Sequence, residues 1–117
     1  MVIRMDNSPN AITIWLSGEL DHHAARDLRE QVDGAVNRSV AKVLRLDFSG
    51  VTFMDSSGIG LIMGRYRLMA ARGGQLLVVG ASERLLRVMK LAGLEKLPVW
   101  ENHTVLQSST KREVKRR

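Results

Sequence analysis

The feature that most limits what this 117-residue chain can become is a change of hydrophobic period that repeats along it. In Ala11–Ser17, Ile12, Ile14 and Leu16 alternate with Thr13, Trp15 and Ser17, the period of two that marks a strand with one buried face. From Asp21 onward the apolar residues fall instead at Ala25, Leu28, Val32, Ala35 and Val36, spacings of three and four that make one stripe of a helix. Strand character returns at Val40–Phe48, where Val43, Leu44, Leu46 and Phe48 suit a buried strand, and Ser49–Asp55 reads as a loop. A second helix is expected from about Ser57 to Arg72, burying Ile59, Ile62, Met63, Tyr66 and Met69 and stopped by Gly73-Gly74. Gln75–Val79 is another buried strand. Ser82 is placed to cap a third helix through Leu85, Val88, Met89 and Ala92, ended by Gly93. A short last strand over Leu97–Trp100 and a final turn capped by Asn102 over Thr104–Leu106 complete the reading. At the other end, Met1–Met5 reads as a strand turned back by Asn7-Ser8-Pro9-Asn10 into a hairpin, with Gly18 closing the second strand.

This order predicts the α/β class. The hairpin is antiparallel, and each later strand–helix–strand step calls for parallel pairing through a right-handed crossover. The sheet is therefore mixed, with helices packed around it. The length suits one domain, placed at residues 1–108, and residues 109–117 form a basic tail.

Charge and composition narrow the function. The formal net charge is +6, but the last seven residues carry +4 of it, from Lys111, Arg112, Lys115, Arg116 and Arg117 against Glu113. The body before them is nearly balanced, so the tail is read as a solvated, disordered end and no direct DNA binding is expected. There is no cysteine, hence no disulfide framework and no thiolate metal site. No run of 18 apolar residues and no apolar signal core occur, so the expected location is the cytoplasm, away from the membrane. Aromatics make up 4% of the chain, so Met54, Met63, Met69 and Met89 are assigned to core filling. Arg65, Arg67 and Arg72 are assigned to the outer face of their helix, solvated or docking an acidic partner.

Chemistry concentrates in Phe53-Met54-Asp55-Ser56-Ser57-Gly58-Ile59-Gly60, between a buried strand and a helix. Open α/β sheets carry their functional loops at the carboxyl ends of strands. Free N–H groups and the positive dipole end make a helix start favourable to an anion. Gly58 and Gly60 would leave part of the first turn bare for close approach by another protein. The plainer reading makes Asp55, Ser56 or Ser57 a helix cap and the glycines a fit to a tight turn. Enzyme motifs fail here. Ser56 is flanked by Asp55 and Ser57, so G-x-S-x-G is absent. Gly60 is followed by Leu61, which breaks a P-loop, and Met63 stands where a dinucleotide fingerprint needs glycine. No catalytic residue and no cofactor are assigned.

A second segment, Gly18-Glu19-Leu20-Asp21-His22-His23, groups carboxylates and imidazoles. Adjacent histidines on a helix point apart, and no histidine pair four residues apart exists, so no metal is assigned. Asp21 reads as an N-cap, a role compatible with touching a partner.

These segments, with the Gly73-Gly74 turn, resemble anti-sigma factor antagonists with the STAS fold, over roughly residues 1–107. The His22-His23 pair and the Gly64-Arg65-Tyr66 run favour the sporulation branch of endospore-forming bacteria, because general-stress antagonists usually lack both. The resemblance implies a partner-switching phosphoprotein in transcription regulation. Unphosphorylated, it binds an anti-sigma factor that is also a serine kinase, and so frees the sigma factor. The kinase phosphorylates the serine after the Asp of D-S-S-G, here Ser56, and a metal-dependent serine phosphatase reverses this. By the same resemblance Asp21 lies on the kinase-binding surface, with Asp55, Ser57, Gly58 and Gly60 beside Ser56. The alternative is a ligand-sensing STAS module holding a nucleotide or another anion near Ser56.

Overall fold

The computed structural model describes residues 1–101. The two periods sort into four strands and three helices. These are β1 (Val2–Asn7), β2 (Ala11–Leu20), α1 (His22–Asn37), β3 (Val43–Met54), α2 (Ser56–Ala71), β4 (Gln75–Val79) and α3 (Glu83–Leu91), followed by a 3-10 turn at Leu94–Lys96. The sheet order is β1-β2-β3-β4. β1 runs antiparallel to β2, while β2–β3 and β3–β4 are parallel, so the sheet is the mixed α/β type expected.

Register follows from the alternation. Ile14 pairs with Leu46 and Leu46 with Val78, which stacks the buried positions of three strands on one face. Ile12, Ile14, Leu44, Leu46, Phe48 and Val78 are fully enclosed there. The crossovers β2–α1–β3 and β3–α2–β4 advance in the same direction. Right-handed connections therefore lay α1 and α2 side by side on that face. α1 buries Ala25, Leu28, Val32, Ala35 and Val36, the stripe read from the sequence. Of the methionines assigned to the core, Met54, Met69 and Met89 are buried and Met63 is partly so. The opposite sheet face mixes charged residues with Trp15, Leu77 and the buried Val79. There Arg4 lies over the Trp15 ring at 4.7 Å, and Arg45 pairs with Glu101.

Five expectations are corrected. Gly18 does not end β2. It adopts φ +106° inside the strand, where the pairing with β3 shifts register, and β2 continues to Leu20. Ser49–Met54 is strand, not loop, because β2's extra residues give it a pairing partner; Val51 and Met54 are buried along it. That strand begins at Val43, leaving Val40 exposed. Leu97–Trp100 makes only an isolated bridge, Val78 to Trp100, after the 3-10 turn. The outer-face assignment fails for Arg65 and Arg72. Arg65 keeps 11% of its side chain exposed and sits 3.3 Å from Asp33, while Arg72 donates from Nη2 to the Ser39 carbonyl at 2.7 Å. Arg67 is exposed. The turn capped by Asn102 over Thr104–Leu106 and the tail lie outside the described residues.

Candidate functional site

Parallel pairing brings the two singled-out segments together. Leu20 and Met54 are register partners at the carboxyl ends of β2 and β3. The next residues, Asp21 and Asp55, each leave the sheet and open a helix, and the Asp55 N–H donates back to the Leu20 carbonyl at 3.4 Å. Two helix N-termini therefore start side by side on one rim.

Both aspartates are N-caps in extended backbone conformation. The Asp21 carboxylate accepts from the Ala24 N–H at 2.9 Å, and the Asp55 carboxylate from the Ser57 N–H at 2.8 Å. Each satisfies a donor that the helix cannot pair internally. The Ala24 bond holds the Asp21 carboxyl below the usual range, against partial desolvation, with His23 and His22 reinforcing it. Their rings lie 4.2 Å apart and tilted by 35°, a correction to the expectation that neighbouring histidines diverge.

Ser56 is the first residue of α2 and is exposed. Its hydroxyl makes no hydrogen bond to the described residues. Of the three candidate caps, Asp55 is the one used, its carboxylate accepting from the Ser57 backbone N–H. The two glycines face opposite ways. A Cβ at Gly58 would meet Met54 Cγ at 2.3 Å, Met54 Sδ at 2.7 Å and Leu20 Cδ2 at 3.1 Å, so Gly58 seats the helix against the strand ends. Gly60 is exposed, and a Cβ there would meet nothing within 4 Å. The outward surface is thus Ser56, Ser57 and Gly60 flanked by Asp21 and Asp55, and Gly58 lies behind it.

Two features escaped the sequence reading. Phe53, at the end of β3 opposite Glu19, is 49% exposed, an apolar side chain two residues before the cap. Its place in a Val-Thr-Phe-Met run was the available signal for a strand there. A cleft of about 490 Å³ also opens between α1 and α2, with Ser57, Gly60 and Gly64 on one side and His22, Arg26 and Arg29 on the other. Nothing in the local sequence joins those two helices. Among the described residues no group of three His, Cys, Asp or Glu is arranged to hold a metal, and no helix is long and apolar enough to cross a membrane.

The comparisons with known proteins agree with this architecture. The family model described as "Mlab, STAS domain" matches residues 3–101. A Paenibacillus polymyxa protein named anti-sigma F factor antagonist is 37% identical over 101 residues, 86% of each chain. The Bacillus subtilis anti-sigma-B factor antagonist is 30% identical over 81% of this chain and 85% of its own. Among solved structures, the anti-sigma factor antagonist SpoIIAA in its unphosphorylated form superposes with a TM-score of 0.76 at 26% identity, covering 96% of this chain and all of that one. By the family match over residues 3–101 and these identities, the chain belongs to the STAS domain family.

Proposed function

We propose that this chain is an anti-sigma factor antagonist switched by phosphorylation of Ser56. Unphosphorylated, it binds an anti-sigma factor with serine kinase activity in the cytoplasm, and the sigma factor is freed. The kinase places a phosphate on Ser56 and the complex falls apart. A metal-dependent serine phosphatase restores the hydroxyl. The observation that carries the reading is the exposed Ser56 hydroxyl, without a hydrogen bond to the described residues, at the first position of a helix capped by its neighbour. The names of the relatives, and a solved SpoIIAA from Bacillus in a phosphorylated form, support it.

The physics of the switch is local. A phosphate adds about −1.5 to −2 charge and three acceptors. At a helix N-terminus that charge meets free N–H groups and the positive dipole end, so the fold tolerates it. Towards a partner the same charge joins those of Asp21 and Asp55 on the rim. Repulsion and desolvation there, at about 4 kcal/mol, would weaken binding roughly a thousandfold. The chain supplies only the acceptor hydroxyl. Nucleotide, Mg²⁺ and catalytic base come from the kinase. Asp21, Asp55, Ser57 and Gly60 form the contact surface, with Gly58 fixing the helix that presents it.

Phosphopeptide mapping after incubation with the cognate kinase and ATP tests the assignment. Phosphate on Ser56 is the expected result. Phosphate on Ser57 with Ser56 unmodified would overturn it.

A further inference from the structure

Apart from Ser57 and Gly60, which it shares with the rim, the cleft between α1 and α2 has no role in that reading. On α1, His22, Arg26 and Arg29 follow one another at spacings of four and three, which puts them on one face of the helix above the cleft. Arg26 and Arg29 are exposed, and neither makes an ion pair with a described residue. Arg65 of α2 also lines the cleft. Its contact with Asp33 at 3.3 Å is an ion pair without hydrogen-bond alignment, and its Nη1 is buried with no acceptor. No carboxylate of the described residues lines the cleft. The α2 wall is low, because a Cβ at Gly60 or Gly64 would meet nothing within 4 Å.

We infer that this cleft is a docking groove for an acidic segment of the anti-sigma factor, an inference that rests on the function proposed above. The charge is complementary, since Arg26 and Arg29, neither ion-paired to a described residue, and His22 border a space that no carboxylate of the described residues lines. The groove continues the rim, because Ser57 and Gly60 belong to both. Its low glycine wall lets a polypeptide lie against the α2 backbone. Exposed arginines on such a surface act chiefly through the rate of encounter, which salt screens. The groove thus attracts and orients the partner while Ser56 decides whether it stays.

The test measures association of the purified cognate anti-sigma factor with the full chain and with Arg26→Ala/Arg29→Ala, at low and high ionic strength. Arg67→Ala, which removes one exposed charge of α2 outside the cleft, is compared with Arg26→Ala and Arg29→Ala singly and with the double variant, so that equal charge changes are set side by side, and Ser56→Asp is run beside them. The double variant is expected to associate about tenfold more slowly at low salt, with the gap closing at high salt. Arg67→Ala should associate as wild type. Wild-type rates for the double variant, or a slowing by Arg67→Ala equal to that of the single cleft variants, overturns the inference. Inorganic phosphate is titrated into the labelled chain by NMR. Phosphate that fills the cleft yet leaves association of the anti-sigma factor unchanged also overturns it, in favour of a small-anion site. Wild-type affinity in Ser56→Asp would count against the phosphorylation switch and leave the cleft result standing.

Discussion

Gly58 and Gly60, two residues apart, should respond to the same substitution with opposite signs. In a helix interior, alanine in place of glycine gains about 0.5–1 kcal/mol from reduced chain entropy. At Gly60 nothing opposes that gain, since the added methyl meets no atom within 4 Å. At Gly58 the methyl would sit 2.3 Å from Met54 Cγ and 2.7 Å from its Sδ. Met54 is 6% exposed and Leu20, behind it, fully buried, so neither has free space to retreat into. Overpacking of this kind costs about 1–3 kcal/mol. The net expectation is a loss of about 1–2 kcal/mol for Gly58→Ala and a gain of about 0.5–1 kcal/mol for Gly60→Ala. For a domain of this size these correspond to a melting point lower by about 5–10 °C and higher by about 3–6 °C. Urea and thermal unfolding of both variants decide the matter. Two stabilised or two destabilised variants would refute the opposite facing of the glycines. Partner binding adds a second axis. Gly60→Ala should weaken it despite the higher stability, because the methyl stands on the surface offered to the partner.

Ser56→Asp should melt within about 0.5 kcal/mol of wild type, since a carboxylate suits a helix start, while its affinity for the anti-sigma factor falls; loss of folding together with binding would make the effect structural. Asp21→Asn should keep the cap and stay within about 0.5 kcal/mol, yet bind the anti-sigma factor with slower, less salt-sensitive association, whereas Asp21→Ala should also lose about 1 kcal/mol of stability. Asp21 has a lowered carboxyl pKa in the folded state, so its contribution is present above the ordinary carboxylate value and disappears as the pH falls through the lowered one. Acid titration of stability should therefore be shallower in Asp21→Asn than in wild type across that window.

The order of the elements, the α1 stripe and the caps at Asp21 and Ser82 were legible because each depends on residues close in sequence, and Asp55 was one of three candidates for the cap of α2. Period, cap and stop signals all sit within a turn or two of the element they define. The extension of β3 through Ser49–Met54 was not legible. Ser49 and Gly50 read as turn residues, and only pairing with a β2 that runs past Gly18 makes strand of them. The facing of Gly58 and Gly60 depends on where α2 lies against Met54 and Leu20, and an identical residue type carries no sign of it. Arg65 looked solvated for the same reason. Its partner Asp33 lies on another helix, and only the packing of α1 on α2 joins them. The rim itself was half legible. Both segments were singled out, but their meeting required β2 and β3 to be neighbours.

One phosphate on Ser56 should change affinity and leave the fold alone. The direct measurement is calorimetric binding of the cognate anti-sigma factor to the chain before and after stoichiometric phosphorylation of Ser56, with unfolding curves of both forms. Affinity should fall by about a thousandfold while the unfolding midpoints nearly coincide. Equal affinities of the two forms would contradict it.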